Sequence, residues 1–134
     1  MDQRDIEKIE NMINDRKRAN KYLMAKKSKT HEAFLSMEKA AYSTGALERK
    51  HKEFIAIAIS IVINCESCLE WHIRQALVSG ATHEQIIEAI EVGIEMGGGP
   101  ATVSSRFALK VLEYYTRENK TAVSLKTERS SKHG

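Results

Sequence analysis

Apolar residues recur at every third or fourth position along most of the chain, the spacing of helices with one buried face. Residues 4–27 carry Ile6, Ile9, Ile13 and Leu23 on such a stripe within a highly charged segment. Ser28 and Thr30 offer caps for a second helix over about 31–43, where Phe34, Met37 and Ala41 lie three and four apart. Ser43-Thr44-Gly45 reads as a turn. From Leu47 to Ile63 the pattern is ambiguous, because isoleucine falls at every second position in its middle, as in a buried strand. That run continues from LERKHKEF without a turn signal, and the sequence has no second convincing strand to pair with it. A buried helix is the consistent reading.

Asn64 can cap a further helix from Cys65 to about Val78, and Gly80 is placed to end it in a left-handed conformation. Thr82 and Gln85 have the spacing of a capping box for a helix over 83–96, whose stripe is Ile86, Ile87, Ile90 and Ile94. Gly97-Gly98-Gly99-Pro100 breaks the chain, and Pro100 suits the first turn of a last helix over about 101–116. The pattern predicts an all-α bundle of five to six helices. It divides into a charged N-terminal helix over 1–29, a core over 30–116 and a polar, disordered tail over 117–134. The helix over 55–63 is so uniformly apolar that part of it is expected to be covered by another subunit.

Composition narrows the class. With 134 residues, 42% apolar and 29% charged, the chain fits one globular domain. Its longest apolar run, Phe54–Ile59 and then Ile61–Ile63, is about half of a membrane span. MDQRDIEKIE has no apolar signal-peptide core, so a cytoplasmic protein without membrane association is expected. The net charge of +3 mixes 21 basic with 18 acidic residues, too balanced for a nucleic-acid binder. The excess sits at the ends, with nine basic residues against five acids over 1–29. A solvated helix face accounts for it. The glycine triplet lacks the preceding strand and following Lys-Ser/Thr of a phosphate loop, and reads as a tight inter-helix turn.

Both cysteines fall in one tetrapeptide, Cys65-Glu66-Ser67-Cys68. In a cytosolic chain a CxxC points to redox chemistry or metal binding. Leu69 follows in place of histidine, which excludes a c-type haem site. His72 lies four residues beyond Cys68, so Cys65, Cys68 and His72 share one helix face. The helix N-terminus favours thiolate, most strongly at Cys65. His72 reaches Cys68 more readily and supplies a specific proton acceptor, which favours Cys68 as nucleophile and Cys65 as resolving thiol. Spacing alone does not settle the two arguments. Glu53 precedes Cys65 by twelve residues. Folded back, it would orient His72 or relay its proton; otherwise it is a surface acid in the basic cluster RKHKE.

Glu53, eleven intervening residues and then Cys65-x-x-Cys68-x-x-x-His72 resemble the signature of the alkylhydroperoxidase-D-like proteins of the carboxymuconolactone decarboxylase-like superfamily. The resemblance covers about 34–116 and includes the stretch Gly80–Ile86, the helix after it and the glycine-rich break. It implies a helical fold assembling as homotrimers or homohexamers, with the cysteines in a cleft. It further implies peroxiredoxin-type alkylhydroperoxidase or disulfide-exchange activity without metal, haem or other cofactor. Carried over, Cys68 attacks peroxide, Cys65 closes the disulfide, and His72 and Glu53 relay protons. A dithiol partner, such as a lipoyl or thioredoxin-like protein, would reset the pair. Two features depart from the family's peroxidases. Ser67 stands where the lipoamide-linked members often carry a histidine, and the chain is shorter than the two-repeat peroxidase. The decarboxylase branch generally does without a CxxC, so the pair argues against lactone decarboxylation.

Two rival readings stay open. A non-catalytic oligomer of the same fold would use the disulfide as a redox switch. A zinc module would take Cys65, Cys68 and His72 with Glu53, His51 or His83 as fourth ligand, although structural sites usually draw on a second paired motif. Tyr42 and Trp71 are candidates for a substrate cleft or for core and interface packing.

Overall fold

The computed structural model describes residues 1–132, and side chains as far as Arg117. Six helices follow one another: α1 (Gln3–Ala25), α2 (Lys29–Tyr42), α3 (Arg49–Ile63), α4 (Glu66–Val78), α5 (His83–Gly97) and α6 (Gly99–Lys132). No strand occurs among the described residues.

The isoleucine-rich segment is helical throughout. A helix turns every-second-residue isoleucines to opposite faces. Ile57 and Ile61 are fully buried, whereas Ile55, Ile59 and Ile63 are about half exposed or more. α3 packs against α4 and α5, and α6 covers α4 and α5. Ile57, Ile61, Leu69, Ile73, Ile86 and Leu112 form the centre of the core. Each such side chain stabilises the fold by about 1.5–3 kcal/mol.

α3 and α5 lie unusually close. A Cβ on Gly93 would stand 2.8 Å from Ile61 Cβ and 3.0 Å from the Ala58 carbonyl oxygen. Thr82 and Gln85 close the expected capping box on α5, and Gly80 adopts φ 93° at the end of α4. The glycine break holds a residue of positive φ, Gly98, at φ 69° and ψ −150°.

Three local expectations change. Asn64 does not cap α4. It ends α3 in the left-handed region, φ 53° and ψ 51°, a conformation that its short amide tolerates. Cys65 takes the N-cap of α4 instead. The stripe of α2 is not buried, since Phe34 and Met37 are more than half exposed. α6 also overruns the end expected near 116, because no Gly or Pro interrupts the sequence from 101 to 132. The side chains beyond Arg117, and residues 133–134, on which the expected tail falls, lie outside the described residues.

α1 lies against α2 and α6. Ile9 is fully buried, with Ile6 and Ile13 packed on the core beside it. Asp5 pairs with Lys110 of α6 at 2.8 Å and Lys8 with Glu66 of α4 at 2.8 Å.

Candidate functional site: a disulfide and a buried carboxylate paired with an imidazole

The α3–α4 corner positions the cysteines. The left-handed turn at Asn64 lets the Cys65 N–H reach back to the Ser60 carbonyl, 3.0 Å away. Ser104 Oγ donates to Asn64 Oδ1 at 3.1 Å and ties the corner to α6. Cys65 then caps α4, its Sγ accepting from the Cys68 N–H at 3.2 Å. Cys65 and Cys68 are joined in a disulfide with a Cα–Cα distance of 5.2 Å. This places both sulfurs at the positive end of the α4 dipole, where a thiolate is favoured once the bond opens.

Glu53 is buried and is not a surface acid of the basic cluster. Its side chain is 1% exposed, and its Oε2 lies 2.8 Å from His72 Nδ1. In a neutral imidazole a carboxylate at Nδ1 selects one tautomer, the one in which Nδ1–H donates to Glu53 and Nε2 is the acceptor. His72 is one turn beyond Cys68 on the same face of α4. Its ring also packs 5.2 Å from that of Tyr42.

The second oxygen of Glu53 faces Arg49, whose Nε lies 3.7 Å from Oε1. Arg49 Nη2 donates to Gln75 Oε1 of α4 at 2.6 Å. A cleft of about 480 Å³ opens onto this network, lined by Leu35, Glu38, Tyr42, Arg49, Glu53 and Trp71 among others. Burial first, then the charges of Glu53 and Glu38, push the Tyr42 phenol above its ordinary range, so it remains a hydrogen-bond donor.

Behind α4 lies a second buried acid that sequence reasoning missed. Glu70 is fully buried and accepts two hydrogen bonds from Arg16, at 2.6 and 3.1 Å, and one from Tyr115 Oη at 2.6 Å. The Arg16 guanidinium also stacks 4.8 Å from the Trp71 ring centre. Burial, then Glu70 itself, push the Tyr115 phenol far above its ordinary range. A signal was present: Glu70 falls on the apolar face of α4, among Leu69, Ile73 and Ala76. Arg49 and Gln75 gave no such signal.

His51 and His83, considered as a fourth zinc ligand, are exposed. Among the described residues no group of three or more His, Cys, Asp or Glu side chains is arranged to hold a metal. Nor is any helix among them long and apolar enough to cross a membrane.

Fold and site together define a class: an all-α bundle carrying a CxxC disulfide and, one turn along the same helix, a histidine paired with a buried glutamate. The chain belongs to the carboxymuconolactone decarboxylase family, whose sequence model matches residues 29–111. It is 43% identical over 82 residues to the uncharacterized protein 4 in the cox locus of Paracoccus denitrificans, covering 61% of this chain and 74% of that one. Among solved structures it resembles an apo carboxymuconolactone decarboxylase family protein of Legionella pneumophila. The two share 28% identity and a TM-score of 0.71, over 82% of this chain and 96% of that one. A family member from Thermotoga maritima, for which a part in the antioxidative response is suggested, aligns with TM-score 0.76 at 25% identity, over 84% and 95%.

Proposed function

We propose that this protein is a peroxiredoxin-type thiol peroxidase, reducing hydroperoxides at Cys68 and closing a disulfide with Cys65. In the reduced protein, His72 Nε2 takes the Cys68 proton. The thiolate attacks the outer peroxide oxygen, and the O–O bond breaks. The leaving alkoxide takes the proton from His72 and departs as alcohol, leaving Cys68 as a sulfenic acid. The Cys65 thiol gives up its proton as its sulfur attacks Cys68, the S–S bond forms, and hydroxide leaves with that proton as water. A dithiol then reduces the pair and is itself oxidised to a disulfide.

The observation that carries this reading is the 2.8 Å bond between Glu53 and His72, beside the Cys65–Cys68 disulfide. A structural disulfide needs no carboxylate-locked histidine, whereas a nucleophilic thiol needs a base held in one tautomer. The antioxidative role suggested for the Thermotoga maritima relative agrees with it. A lipoyl or thioredoxin-like protein is the reductant class that suits a CxxC pair, and a cytoplasmic location suits the cycle, since thiols are kept reduced there. A homotrimer or homohexamer completes the reading, because α3 turns Ile55, Ile59 and Val62 outward.

The test is peroxide consumption by the reduced protein with dihydrolipoamide as reductant. Turnover is expected in the wild type and none in Cys68→Ser. Reversible disulfide formation without turnover, with either lipoyl or thioredoxin-type reductants, would instead favour the redox switch.

A further inference from the structure

We propose that Arg49 is a positioning residue of the relay. Its guanidinium compensates the buried Glu53 carboxylate on the oxygen that His72 does not use, so that His72 stays neutral and able to accept a proton. The inference deepens the peroxidase reading and rests on it for its catalytic consequence.

Helix energetics do not account for Arg49. It is the first residue of α3, where a cation opposes the helix dipole. Lys50 and Lys52 share that first turn, which itself holds no acid, although Glu48 stands at the N-cap. Arg49 precedes Glu53 by four residues, the less favourable order for a helical ion pair. What the position does provide is reach. From the mouth of the cleft its fork spans two helices, touching Glu53 of α3 and Gln75 of α4. Gln75 is three residues beyond His72, so the fork is anchored on the helix that carries the imidazole.

The charge argument has two states. With Arg49 in place, Glu53 has a permanent cation 3.7 Å from Oε1 whatever the state of His72. Without it, a carboxylate that is 1% exposed keeps the imidazole as its one ion-pair partner among the described residues, and protonation of His72 becomes more favourable. A protonated His72 cannot take the Cys68 proton. The other groups around the pair leave Arg49 in this role. Tyr42 and Glu38 face it from α2, and neither is a cation. Lys39 lines the same cleft, and Lys52 Nζ is engaged with the Ser43 carbonyl at 2.6 Å. Cys68 of α4 is tied up in the disulfide.

The experiment is an NMR titration of the His72 imidazole in the oxidised protein, its signal assigned by loss in His72→Asn, for wild type, Arg49→Met and Arg49→Lys. Arg49 is 44% exposed, so solvent moderates the effect. The expected result is a midpoint raised by about half a unit in Arg49→Met and largely restored in Arg49→Lys. The acid limb of the peroxidase pH profile should move up by the same amount, with the high-pH plateau retained. An unmoved or lowered midpoint in Arg49→Met overturns the proposal. So does an Arg49→Lys midpoint as high as that of Arg49→Met, because charge would then not be the acting property. A wild type that fails to react with peroxide refutes the peroxidase reading alone, since the titration needs no turnover.

Discussion

Glu53 has almost no contact with water, and its charge is held by His72 on one oxygen and Arg49 on the other. Glu53→Gln preserves shape but gives the imidazole a neutral partner. Disulfide formation by peroxide is expected to slow about 10- to 100-fold, measured by stopped flow on the reduced protein. An unchanged rate would remove Glu53 from the relay. Glu70 plays a different part, because its partners Arg16 and Tyr115 come from α1 and α6 and join those helices to α4. Arg16→Ala leaves a fully buried acid with Tyr115 as its remaining partner, a loss of about 3–5 kcal/mol in urea denaturation. A change of about 0.5 kcal/mol, typical of a surface site, would contradict that account. The Tyr115 phenol sits far above its ordinary value, so the folded state holds this proton more tightly than the unfolded chain. Its contribution is fully present below about pH 10 and is lost as pH rises further. Tyr115→Phe should weaken the alkaline decline.

At the scale of elements, α1 and the α3–α5 contact each make a measurable demand. The hydrogen bond to Lys110, and then the Asp2 N–H, hold the Asp5 carboxyl at about 2, below its ordinary 3.8. A lowered value means that the stabilisation is present above pH 3.8 and lost as pH falls towards 2. The single tryptophan, Trp71, stacks under Arg16 of α1 and reports the docking of that helix by fluorescence. Asp5→Asn should remove part of the acid transition in that window. Gly93→Ala forces a methyl to 2.8 Å from Ile61 Cβ and should cost about 1–3 kcal/mol in thermal unfolding. Much of the element order was legible in local signals. The Thr82–Gln85 capping box, Gly80 and the glycine break act within one turn of the chain and need no tertiary information. The Glu53–His72 contact was only one of two readings of the sequence, since it depends on how α3 and α4 register against each other. Arg49–Gln75 and Arg16–Glu70 depend on the same inter-helix register, which periodicity does not encode. Asn64 was misassigned because one side chain serves equally as a helix start or a left-handed stop, and the packing of α4 on α3 selects the second.

At the scale of the molecule, the fold leaves an apolar face. Ile55, Ile59 and Val62 on α3 and Val92 and Met96 on α5 are each 47–72% exposed. On the trimer or hexamer reading this face is covered by another copy. Ile59→Lys is then expected to lower the assembly mass in light scattering while leaving helix content unchanged; a wild type that is monomeric at working concentrations would contradict it. The central claim, however, is redox chemistry at Cys68. The direct measurement is intact mass after thiol alkylation, before and after one equivalent of hydrogen peroxide, on reduced wild type and Cys68→Ser. The account predicts that peroxide removes both alkylatable thiols of the wild type, that dithiothreitol restores them, and that Cys68→Ser loses the fast reaction. Thiols that stay alkylatable after peroxide, or an equally fast reaction in Cys68→Ser, would contradict it.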